Sequence, residues 1–93
     1  MYGVVRLREY ERSLRKVSQY RNFDIEELER VIGLLRNNIP LESRHKDHAL
    51  KGKYFGIREC HIKNDLLLLY EKHENKLILY LVDIGTHASV FEE

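Results

Sequence analysis

The spacing of apolar residues changes once along this chain, around Pro40, and that change divides it into a helical half and a strand half. From Glu9 to about Tyr20, Tyr10, Leu14 and Val17 recur at helical intervals while Arg12, Arg15 and Lys16 fall on the other side, which predicts an amphipathic helix. Asp24 and Glu27 have the spacing of a capping box, and Ile25, Leu28, Ile32 and Leu35 follow on one helical face. Asn37, Asn38 and Pro40 end this second helix, because the residue ahead of a proline is driven out of the helical region. The two helices are expected to form a hairpin, preceded by a short strand over Tyr2 to Leu7.

Beyond a polar loop the period drops toward two. Phe55 to Lys63, Asp65 to Glu71 and Lys76 to Asp83 predict three strands rich in Leu, Ile and Tyr. Their connections are short, which makes neighbours antiparallel. Leu66 to Leu69 do not alternate with polar residues, so the middle strand should be covered on both faces. Gly85 breaks the last strand and leaves Thr86 to Phe91 as a short tail. The expected fold is α+β: an N-terminal strand, a two-helix hairpin and an antiparallel three-strand meander forming one twisted sheet with the first strand, the helices over one face. Ninety-three residues without repeats or linkers are expected to form a single domain, 1–93.

Composition narrows the function classes. Hydrophobic residues at 43% and charged residues at 33% describe an ordinary globular chain. No apolar run approaches the roughly 18 to 20 residues that span a bilayer, and the N-terminus does not read as a signal peptide, so no membrane contact and a cytoplasmic location are expected. Cys60 stands alone, which excludes an internal disulfide, and is expected to be a buried thiol. Net charge is only +1, but it is unevenly spread: residues 1–23 carry six Lys/Arg against two Asp/Glu, and residues 31–65 carry seven against four. A polyanion responds to local potential more than to net charge, so two basic blocks on one face would suit nucleic acid. Solvated faces with internal ion pairs account for the same pattern.

The histidines carry the chemistry. His61 lies on a strand with Asp65 expected close by across a turn, His48 arrives from the loop before the sheet, and His87 from the segment after it. Imidazoles titrate near neutral pH, so a pair can supply the base that deprotonates a ribose 2′-hydroxyl and the acid that protonates the leaving 5′-oxygen. Lys51, Lys53 and Arg58 are candidates to neutralise the phosphate. A zinc site is the competing reading, because His45 and His48 are three residues apart and His61, Asp65 and His87 could complete a ligand set. The flanking cations Arg44, Lys46 and Lys51 disfavour a divalent ion, so neither metal nor cofactor is expected. Surface or core histidines without a role remain the bland alternative.

Asp47-His48-Ala49-Leu50-Lys51-Gly52, then Arg58-Glu59-Cys60-His61-Ile62-Lys63-Asn64-Asp65 with Leu67-Leu68-Leu69-Tyr70, then Gly85-Thr86-His87-Ala88-Ser89-Val90-Phe91, form three linked motifs. Their order and spacing, from about Leu35 to Phe91, resemble the YafQ branch of the RelE/ParE toxin superfamily. The resemblance implies a RelE-like fold and a toxin of a type II toxin–antitoxin module. It also implies an endoribonuclease that cuts messenger RNA at the ribosome and is held inactive by a cognate antitoxin. It places the catalytic set on His48, His61, Asp65 and His87 and a base-stacking aromatic on Phe91; His87, on the tail beside Phe91, is the expected acid, with His61 beside Asp65 as the competing donor. Leu66 stands where family members often carry tryptophan, and the net charge is lower than is usual there. A ParE-like toxin directed at gyrase, or a non-enzymatic binding module, is the alternative function.

Overall fold

A computed structural model describes residues 1–91. The elements are β1 (Gly3–Arg6), α1 (Arg8–Val17), α2 (Ile25–Arg36), β2 (His48–Ala49), β3 (Arg58–Lys63), β4 (Leu66–His73), β5 (Ile78–Gly85) and α3 (His87–Phe91). The strands form one five-stranded sheet in the order β1-β5-β4-β3-β2. β1 runs parallel to β5, and every other pair is antiparallel. The α+β architecture, the helix pair and the meander are as expected from the spacing of apolar residues.

Local chemistry accounts for the helices. Asp24 caps α2 by accepting a hydrogen bond from the Glu27 amide at 3.1 Å. In α1, Glu9 and Glu11 occupy the first turn and Arg15 and Lys16 the last, which complements the helix dipole. Tyr10 and Val17 from α1, and Leu28, Val31 and Leu35 from α2, are buried against Cys60, Ile62, Leu68, Tyr70, Leu79, Leu81 and Ile84 of the sheet. Burial there pushes the Cys60 thiol pKa far up, so the group stays protonated and inert. The leucine run is shared between the faces: Leu68 joins this core, while Leu67 and Leu69 join a smaller cluster on the other side with Val90.

Two elements depart from expectation. β2 adds a fifth strand, too short to show any alternation. The tail beyond Gly85 is not irregular but forms α3, which Thr86 caps: its Oγ1 accepts from the Ser89 amide at 3.2 Å and its carbonyl from the Val90 amide at 3.0 Å. Five residues carry too little periodicity for a helix to be read from spacing.

Candidate active site

Strand pairing assembles the site on the face of the sheet away from α1 and α2. His48 of β2 lies directly opposite Glu59 of β3, and His61 two residues along β3 shares the face of Glu59. His61 in turn pairs with Leu67, and Leu67 with Gly85, so one rung crosses three strands and ends two residues short of His87. With strands about 4.8 Å apart, the start of α3 lies about two strand spacings from His61.

Glu59 is the centre of this group, and its role was not anticipated. It is only 5% exposed, yet its Oε1 stands 3.2 Å from His48 Nε2 and 3.8 Å from His61 Nε2. His48 Nδ1 lies 2.6 Å from the Lys46 carbonyl oxygen. Both ring nitrogens of His48 therefore face oxygen atoms. The available signal was strand alternation, which puts Glu59 and His61 on one face.

α3 approaches the sheet closely. A Cβ on Gly85 would collide with the Ser89 hydroxyl and crowd Val90, so glycine lets the helix fold back onto β5. The His87 ring then rests against Phe91, with centroids 4.8 Å apart, and the edge of Tyr54 meets Phe91 at 5.1 Å and 81°. Tyr54 belongs to the loop carrying Lys51 and Lys53, so aromatic contacts join that loop to the helix bearing His87. Lys51 is exposed, and Lys53 Nζ sits 5.3 Å above the Tyr54 ring. Nothing in the spacing of Tyr54 pointed to this contact.

Asp65 and Arg58 are placed otherwise than expected. Asp65 is not the first residue of a strand but, with Asn64, forms the turn itself, and β4 begins at Leu66. The register also shifts between His61 and Lys63, and among the described residues Asp65 makes no ion pair with His61. The carboxylate beside His61 is Glu59. Arg58, one residue from Glu59, points to the opposite face. Its Nε donates to Asp47 at 3.3 Å and to the buried Tyr70 hydroxyl at 3.2 Å, while Tyr70 donates to Asp47 at 2.6 Å. These three side chains fasten the segment leading into β2.

The alternative zinc ligands do not converge. His45 is 1% exposed and its Nε2 meets Glu27 of α2 at 3.0 Å, whereas His48 turns to Glu59. Glu27 also accepts from Arg30 and pairs with Arg44, and these partners, Arg30 first, hold its carboxyl pKa down at about 2. Among the described residues no group of three His, Cys, Asp or Glu side chains is gathered as metal ligation requires.

The family model for YafQ, the bacterial toxin of type II toxin–antitoxin systems, matches residues 2–92. The chain belongs to the YafQ family. The mRNA interferase toxin YafQ of Escherichia coli K12 is 39% identical over 77 residues, 82% of each chain. A metal-bound toxin from Helicobacter pylori, 35% identical, superposes with a TM-score of 0.89 over 98% of this chain and 100% of its own. YafQ in the E. coli DinJ–YafQ complex, 28% identical, superposes at 0.85 over 98% and 99%. This YafQ-family chain is thus a type II toxin of an endoribonuclease family. Among the described residues none of its helices is long and apolar enough to cross a membrane.

Proposed function

We propose that this YafQ-family toxin is a metal-independent endoribonuclease that cuts messenger RNA on the ribosome, in the cytoplasm, and that a cognate antitoxin protein holds it inactive. The observation that carries the reading is the cross-strand group of His48, Glu59 and His61 on one rung system with the helix that bears His87. In this mechanism the ribose 2′-oxygen attacks the adjacent phosphorus and gives its proton to His61. Glu59 beside the ring stabilises the imidazolium that forms. The bond from phosphorus to the 5′-oxygen breaks, and His87 donates the proton that makes a 5′-hydroxyl, leaving a 2′,3′-cyclic phosphate. His87 is exposed, which leaves its ring accessible to substrate.

His48, held between Lys46 and Glu59, orients the carboxylate. Lys51 and Lys53 meet phosphate charge, Phe91 offers a face to a base, and Asp65 at the turn contacts the substrate rather than an imidazole. Arg58 supports β2 from the other side through Asp47. The alternative, a ParE-like toxin without nuclease chemistry, gives no task to the Glu59 group.

Cleavage of a defined messenger RNA with the purified toxin, with and without ribosomes, tests this reading. Full cutting is expected in excess EDTA, with cyclic-phosphate and 5′-hydroxyl ends, and His87→Ala should lose about 10²- to 10⁴-fold in rate. The metal-bound state of the Helicobacter pylori relative makes the chelation arm the demanding one. Activity lost on chelation and restored by copper or zinc would overturn the metal-free mechanism.

A further inference from the structure

The loop between β2 and β3 holds a phenyl ring that the fold does not use. Phe55 is 86% exposed, more than any other large apolar residue described. The loop around it is nonetheless ordered: the Leu50 amide donates to the Ile57 carbonyl at 2.9 Å and closes it. Inside, the amides of Tyr54, Phe55 and Ile57 donate to Lys51, Gly52 and Tyr54. Gly52 and Gly56, at φ of +67° and +96°, supply the left-handed turns that L side chains resist. Tyr54 then fixes the loop to Phe91, whose ring touches His87.

A flexible loop could turn such a ring inward, whereas this loop presents it to solvent. Its neighbours decide the occupant. Residues 51–56 carry two lysines and no acidic residue, so positive charge lies on the Lys51–Lys53 side of the ring, while the Glu71 carboxylate of β4 approaches the loop at Gly56. An exposed aromatic on a lysine-bearing loop, closed by its own hydrogen bonds and beside a nuclease site, is the arrangement that receives an unpaired base on the ring and its phosphates on the ammonium groups.

We infer that Phe55 is a stacking platform for a nucleobase of single-stranded RNA a few nucleotides from the scissile bond, with Lys51 and Lys53 holding the flanking phosphates. The inference rests on the endoribonuclease reading but concerns a residue outside the catalytic group. It makes Phe55 a determinant of substrate affinity, not of the chemical step.

The chain has no tryptophan, so Phe55→Trp introduces a single reporter. Titration of that variant with a 2′-O-methyl single-stranded oligonucleotide, which lacks the nucleophilic hydroxyl, should quench the indole saturably. The same titration of Ile39→Trp, on the far side of the sheet, should not. Phe55→Ala should weaken binding of the labelled oligonucleotide, followed by anisotropy, by about 5- to 150-fold, the range for loss of one base–aromatic stack. Turnover at saturating RNA should be unchanged, and Phe55→Tyr should restore affinity. Equal binding by Phe55→Ala and the unaltered toxin, or an unquenched indole while anisotropy reports binding, overturns the inference and leaves the nuclease reading intact. Loss of antitoxin affinity alone in Phe55→Ala would assign the ring to a protein partner and also overturn it. An unaltered toxin that neither binds nor cuts RNA would remove the underlying reading as well.

Discussion

Under α1 and α2 the sheet buries a continuous cluster running from Tyr10 and Val17 through Leu28 and Val31 to Leu79 and Ile84. On its other side, among the described residues, the buried apolar cluster is just Leu67, Leu69 and Val90, with Leu50, Ile57, Val82 and Phe91 partly covered around them. β3 contributes to both: Cys60 and Ile62 to the first, Glu59 and His61 to the second. Strand alternation thus separates stability from chemistry within one six-residue element. The thin cluster suffices to seat α3 and the loop before β3, and it leaves polar side chains where the other face has a closed core.

Exchanging the damage between faces tests that separation most strongly. His61→Ala should lower cleavage by about 10²- to 10⁴-fold and leave the denaturation midpoint close to that of the unaltered toxin. Leu68→Ala, from the fully buried end of the core, should cost about 2–5 kcal/mol of unfolding free energy. Its rate per folded molecule should be unchanged. Cleavage assays paired with urea denaturation read both quantities, and a well-folded Leu68→Ala protein with poor turnover would show the faces to be coupled.

Much of the helix-side face was legible because its signals are repetitive. Tyr10, Leu14 and Val17, and then Leu28 and Leu35, mark helical faces, and Leu66 to Leu69 mark a central strand. The site face was legible only in part. His48, His61 and His87 could be named from their motifs, but what each touches depends on register. A bulge near Lys63 and a turn made of Asn64 and Asp65 move Asp65 out of ion-pair reach of His61. Glu59 takes that place through a cross-strand partnership with His48 that only the two-residue β2 creates. Arg58, read as a phosphate contact from its charge and proximity, faces the other way because one step along a strand reverses the side chain.

The contact between α3 and β5 sharpens the comparison at an intermediate scale. Gly85→Ala places a methyl group where the Ser89 hydroxyl lies and crowds Val90, so the hydroxyl must rotate away and Val90 must give, and we expect α3 to shift outward with His87. Forced overpacking costs about 1–3 kcal/mol. Displacement of a proton donor by about 1 Å can cost about 10²-fold in rate. Cleavage should therefore fall by about 10- to 100-fold while the far-UV circular dichroism and the helix-side core persist. An active Gly85→Ala toxin would mean that α3 does not need this close approach.

The smallest effect expected is one of pH on the helix side alone. Glu27 gathers Arg30, Arg44 and His45 around one carboxylate, joining α2 to the segment that leads into β2. Its pKa is about 2 in the folded chain against an ordinary value of 4.5. A depressed carboxylate pKa means that the folded state favours the ionised form. The associated stability is fully present above about pH 4.5 and drains away as pH falls toward 2. Glu27→Gln removes the charge, so the variant should be less stable than the unaltered toxin at neutral pH. The gap in denaturation midpoint should hold steady above about pH 5 and close as pH approaches 2. His48 is held by β2 pairing and by the Lys46 carbonyl, not by Glu27, so cleavage per folded molecule at neutral pH should survive the substitution. A gap that does not change with pH would show that Glu27 acts through shape rather than charge. A loss of turnover at neutral pH would extend the reach of the helix side to the site.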